Sequence, residues 1–251
     1  MLDNLVKTDP VPAYLRGVWQ RRLLRVPSQP DDTATTVFWV QAARWHGDIR
    51  IPTGRPDFKG LDSLNQCNDA QLAWLKTQQG FAGVTTFDPA TRATQWHRQI
   101  DFQPPALWPD AGYAKFEDEV LVETGIHTDY MEHWHHVPGS GYGCAVFRCL
   151  DRRVQSLMLV AGSQVLLLRS RDLAFDLEGW SKGDRLRAQL DFEISHGVRN
   201  KSGWQILHST LPWREMKQVS IFMNEQSDGS VVMNIDGVSS RWEVLEWSPP
   251  K

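Results

Sequence analysis

Cysteine is scarce: three residues, Cys67, Cys144 and Cys149, in a chain of 251. An odd, small number builds no disulfide framework, and the Cys144/Cys149 spacing is not the Cys-x-x-Cys of zinc or redox sites. Buried or half-buried thiols in a reducing, cytoplasmic compartment are the expectation. Long apolar runs are missing too. The longest, Leu157 to Leu168, is broken by Gly162-Ser163-Gln164 and falls short of the roughly 18 residues of a membrane span. Met1 to Lys7 carries an early acid and no apolar core, which does not read as a secretory signal. Charge of one sign is not in excess: 27 basic and 30 acidic side chains leave a net charge of -3. That balance gives no concentrated basic surface for a phosphate backbone. Neither nucleic acid nor membrane is therefore expected as a partner. Nucleophile and nucleotide motifs are absent as well: there is no Gly-x-Ser-x-Gly, no P-loop and no Gly-x-Gly-x-x-Gly between a strand and a helix. Hydrolytic and nucleotide-dependent chemistry is disfavoured, and no cofactor or metal is assigned.

What the chain does have is period-two alternation almost throughout, the mark of strands with two unlike faces. Leu157-Met158-Leu159-Val160 and Val165-Leu166-Leu167-Leu168 flank a Gly-Ser turn and predict a hairpin with doubly buried arms. Val219, Ile221 and Met223, then Val231, Met233 and Ile235, flank Asp228-Gly229, a favoured hairpin dipeptide. Asp184 to His196 alternates from Leu186 to Ile194 and reads as one long strand with a wet side. About fifteen strand candidates result from these pattern templates. One helix is predicted over residues 69–79, capped by Asn68 or Asp69 and stopped by Gly80, with Leu72 and Leu75 on one face. Pro138-Gly139-Ser140-Gly141 is the best linker, dividing the chain into 1–138 and 139–251. Each part holds about the eight antiparallel strands that close a small barrel.

A family resemblance rests on short motifs in order: Gly80 to Thr85, Trp96 with Ile100-Asp101-Phe102, Asp110-Ala111-Gly112, Glu123-Thr124-Gly125 and Glu132-His133-Trp134. Gln155 to Leu159 and Trp242 to Glu246 complete it. Over roughly residues 80–251 the chain resembles a fungal family known for interacting with a casein-kinase-type kinase, together with its bacterial relatives. The resemblance implies an all-β fold with one short helix: two calycin-like, lipocalin-like antiparallel barrels in tandem. It implies no established activity and carries over no catalytic residue. The chain departs from the fungal pattern in its proline-rich Arg50 to Pro56 segment and in its histidine run. Trp19, after Arg16-Gly17-Val18, resembles the early tryptophan that closes the floor of lipocalin-like barrels.

The conspicuous polar cluster is His127 to His136. On a strand, His133 and His135 face one way, and Glu132, Trp134 and His136 face the other. Two imidazoles on one face can share a metal, with a third ligand from His97, His127 or Asp129, but two-histidine spacing is a weak metal signal. Neutral, hydrogen-bonded imidazoles at a barrel mouth are the plainer reading. In the stretch Gln95 to Gln103, Trp96, Arg98, Ile100 and Phe102 are expected on one face, so that Arg98 needs a carboxylate partner. Twelve tryptophans suit barrel filling or a stacking pocket. The expected function is binding of a small, mostly apolar ligand in a barrel cavity, with His127, Tyr130, His133, His135, His97 and Arg98 as site residues. The alternatives are a protein-interaction scaffold with filled barrels, or an enzyme using the His127 to His136 cluster.

Overall fold

The computed structural model describes residues 8–104, 106–141, 143–150, 153–172, 181–201 and 203–248. Alternating strands pair with their sequence neighbours, as hairpin connections favour. The first eight are β1 (Gly17–Arg25), β2 (Thr36–Gln41), β3 (Trp45–Ile51), β4 (Phe81–Phe87), β5 (Ala93–Asp101), β6 (Asp110–Glu117), β7 (Val120–Gly125) and β8 (Met131–His136). They form a closed antiparallel barrel in chain order, with β8 returning to β1.

A second antiparallel sheet follows. Its members are β9 (Cys144–Cys149), β10 (Ser156–Ala161), β11 (Gln164–Arg169), β12 (Glu193–Asn200), β13 (Gly203–Ser209), β14 (Gln218–Val219), β15 (Ile221–Glu225), β16 (Val231–Ile235) and β17 (Val238–Ser248). The order is β14-β13-β12-β11-β10-β9-β17-β16-β15. Its two edge strands, β14 and β15, are separated in the chain by Ser220 alone, so the sheet curls until its edges nearly meet. Both all-β sheets thus match the sequence expectation, the first as a full barrel and the second as a curled half-barrel.

Two local readings change. The helix α1 (Asp69–Leu75) is shorter than expected, though its cap is as read: Asn68 Oδ1 accepts from Gln71 N and the Gln71 side chain accepts from Asn68 N. The long strand expected over Asp184 to His196 is instead a helix, α2 (Lys182–Leu190), followed by β12. Ser181 caps it by accepting from Asp184 N. Leu186 and Leu190 are four apart, so they satisfy a helical face as well as an alternating one. Arginine, glutamine, alanine and leucine favour helix, and the strand begins where Glu193-Ile194 takes over.

The largest apolar core lies between the two sheets. Val18, Val40, Ile49 and Val84 on the outside of the barrel meet Leu157, Leu159, Leu166 and Ile194. Leu72 and Leu75 of α1 and Leu190 of α2 close its sides. A Cβ on Gly47 would stand 2.8 Å from Leu166 Cδ2, so the sheets touch closely there. The segment joining β8 to β9 is pinned: buried Ser140 Oγ accepts from Val18 N at 2.8 Å and donates to Val137 O at 2.7 Å.

A stacked trio marks the same seam. His196 is 1% exposed, lies parallel to Phe38 at 4.2 Å between centroids, and stacks on His208 at 5.8 Å. Burial, reinforced by His208, drives the His196 pKa down to about 3. The unfolded chain's histidine takes its proton near pH 6.5, well before the folded one does. The resulting stabilisation is therefore complete above that pH and is lost as the pH falls toward 3, by about 1.4 kcal/mol per pH unit in between. Urea unfolding at pH 7 and pH 5 is expected to show a clear drop, and His196→Gln a shallower one.

Candidate functional site

The barrel holds a cavity of about 370 Å³ that opens at the end formed by Leu24, Val26 and the Leu107 to Pro109 loop. Its deep wall is aromatic. Trp39 packs edge-on against Trp96 at 5.7 Å and against Trp134 at 5.6 Å. The far end is stopped by Val11, Leu15 and Trp19, and the Trp19 indole N–H donates to the Leu15 carbonyl at 2.8 Å. A larger cleft of about 1120 Å³ lies along the second sheet, where Arg169 pairs with Asp191 and Arg214 pairs with Glu193 and Asp236.

Above the aromatic wall the barrel lumen is charged. On β3, His46, Asp48 and Arg50 alternate with Trp45, Gly47 and Ile49. The apolar set is taken up by the seam with the second sheet, so the polar set must turn inward. Arg50 donates to Asp48 at 2.6 Å. Arg98 on β5 donates to Asp110 at 2.7 Å and to Asp101 at 3.2 Å, and its guanidinium lies 3.6 Å above the Phe81 ring centre. The Arg98–Asp101 pair depends on a bulge. Gly83 faces Arg98 while Ala82 faces Ile100, leaving Gln99 as the extra residue. The bulge resets the alternation, which sends Ile100 and Phe102 to the core between the sheets and away from the Arg98 face where they were expected.

Two glutamates face each other across β7 and β8 at the register pair Glu123↔Glu132. Both are buried, and like charges directly opposite destabilise a sheet unless they are compensated. Glu132 accepts from Arg21 at 2.7 Å, and Arg21 also holds Asp32 at 2.9 Å. Glu123 has no cation in ion-pair contact among the described residues. It accepts from Tyr130 Oη at 2.6 Å and from the Trp134 indole at 3.1 Å. Burial first, then the neighbouring Glu132 carboxylate, push its pKa well above the carboxylate range. Gly112 on β6 makes room for it, since a Cβ there would stand 2.9 Å from Glu123 Cγ.

Three buried polar atoms on the inward faces have no partner among the described residues: the Trp39 indole N–H, His46 Nε2 and Thr94 Oγ1. Thr85 Oγ1 gives its proton to Gln41 Oε1, so His46 Nδ1 must donate to Thr85. His46 Nε2 is then a bare acceptor, and burial keeps the ring neutral.

Of the site residues expected from sequence, Tyr130 and Arg98 line the cavity. His127 stacks at 6.0 Å on Trp108, whose ring is exposed at the rim. His133 and His135 share a face, but it is the outer one, because Glu132 and Trp134 between and beside them line the lumen. His97 also faces out and pairs with Thr86 Oγ1 at 3.0 Å. His136 sits at the opposite end of the barrel against Trp19. The His127 to His136 run is thus spread over three places, and among the described residues no three metal-binding side chains gather. Sequence reasoning missed Glu123, Glu132, Asp48 and Arg50. The signal was Trp134: the tryptophan of an alternating His/Trp strand marks the buried face.

No family model matches the chain, and no curated protein matches it. Among solved structures it is similar to the crystal structure of the uncharacterized protein YLR301w from Saccharomyces cerevisiae. The TM-score is 0.60 at 15% identity, covering 92% of this chain and 98% of that one. At that identity the likeness shows the fold alone.

Proposed function

We propose that the chain is a small-molecule binding protein and that its site is the lumen of the first barrel, where an apolar ligand body packs on Trp39, Trp96 and Trp134. One observation carries this reading: a closed barrel keeps a cavity of about 370 Å³ with an aromatic deep wall and polar, charged side chains above it. That is the usual form of a small-ligand site. The yeast likeness and the two curled sheets support taking the chain as a tandem calycin-like protein of the kind the sequence resemblance implies. The scarcity of cysteine, three residues in 251, supports a cytoplasmic setting.

Native mass spectrometry of freshly purified protein tests it. A non-covalent adduct is expected that disappears on denaturation. It should also be absent from Leu24→Trp, which places an indole across the mouth. A clean apo spectrum over several preparations, together with no quenching of tryptophan fluorescence by neopentylbenzene, would overturn the reading.

A further inference from the structure

The charges of the lumen do not balance, and the imbalance has a direction. Arg21, Arg50 and Arg98 are each committed to carboxylates: Arg21 to Glu132 and Asp32, Arg50 to Asp48, Arg98 to Asp110 and Asp101. Glu123 is left over, as is Asp129 at the mouth. Every group that faces Glu123 is accounted for: Glu132 and Tyr130 beside β8, Asp110 on β6, Arg50 and Asp48 on β3, Arg98 on β5 and Arg21 on β1. Acids outnumber guanidiniums in this set, so the interior favours positive charge.

We propose that the cavity takes an organic cation, an amine or quaternary ammonium group on an apolar body, with the charged head beside Glu123 and its body against Trp39, Trp96 and Trp134. The proposal rests on the lumen being a ligand site and names the class of ligand. An ammonium against tryptophan faces gains cation–π attraction, which is stronger where water is excluded. An incoming cation supplies the partner that Glu123 lacks, so Glu123 ionises as the ligand enters and its proton leaves to solvent. Binding then strengthens as the pH rises, because the proton and the ligand compete for one carboxylate. The unpartnered Trp39 N–H, lining the same wall, offers a donor to an acceptor atom on the ligand body. An anionic ligand gains nothing comparable, since each guanidinium already has its carboxylate.

Three probes of one shape separate the possibilities: benzyltrimethylammonium, its uncharged isostere neopentylbenzene, and phenylacetate. Affinities come from tryptophan quenching, and proton release comes from calorimetry in two buffers of different ionisation enthalpy. The cation is expected to bind about tenfold or more tighter than the neutral isostere. Its binding should release up to about one proton and tighten as the pH rises, because burial holds the Glu123 carboxyl above the carboxylate range. Glu123→Gln should remove the proton release and reduce the preference for the cation, leaving the neutral isostere unaffected. The wild-type proton count does not depend on that variant folding. Equal binding of cation and isostere, or preference for phenylacetate, overturns the cation assignment while the cavity reading stands. Failure of all three probes overturns the cavity reading, and the assignment with it.

Discussion

Arg21→Met is expected to lower the free energy of unfolding at pH 7 by about 3–5 kcal/mol, the usual result of removing one partner of a buried ion pair. Both side chains of the Arg21–Glu132 pair are 5% exposed. Without the guanidinium, Glu132 is left buried directly opposite Glu123 with no cation in contact. Arg21→Met combined with Glu132→Leu should recover most of the stability, because an apolar pair fills the same place without stranding a charge. Urea unfolding of the wild type and these two variants at pH 7 measures both effects. A loss for Arg21→Met below about 1 kcal/mol would place the pair in the class of solvated surface bridges.

Leu166→Ala is expected to cost about 2–5 kcal/mol, since its side chain is fully buried and held from several sides. The more telling expectation is cooperativity. Leu166 belongs to the second sheet but packs on Gly47 of the barrel wall, in a core to which both sheets contribute. Barrel and half-barrel should therefore lose structure in one transition, before and after the substitution. Tryptophan fluorescence reports on the barrel through buried Trp19, Trp39, Trp96 and Trp134, and on the second sheet through Trp204 and Trp242. Far-ultraviolet circular dichroism reports on both sheets. Two separated midpoints would show that the sheets unfold independently, and the shared core would then not couple them.

The fold was legible because alternation survives averaging: even strands with mistaken ends still pair in the right order. The Ser-Asp-Gly hairpin, the Leu157 to Leu168 hairpin and the Asn68 cap all follow from local chemistry, and local chemistry decided them. The α2 helix did not, because Leu186 and Leu190 satisfy both periods and only the helix-favouring residues around them break the tie. The site was half legible. Tyr130 and Arg98 do line the cavity. His133 and His135 were assigned to the interior because polar clusters are conspicuous, although their strand placed Trp134 there. β3 shows a more general limit. A strand with one polar face normally turns that face to water, but here a second sheet takes the apolar side, and Asp48 and Arg50 are turned into the barrel. No single strand's pattern reports which side its neighbours will cover.

That inversion gives β3 two audiences. Its odd-numbered residues from Trp45 to Ile49 are wedged against the other sheet, and its even-numbered ones, Asp48 and Arg50, border the lumen. Interiors this dense do not yield by small amounts. A guest that displaces the Arg50–Asp48 pair must therefore push on a ribbon with no slack behind it, and the far sheet will register its arrival.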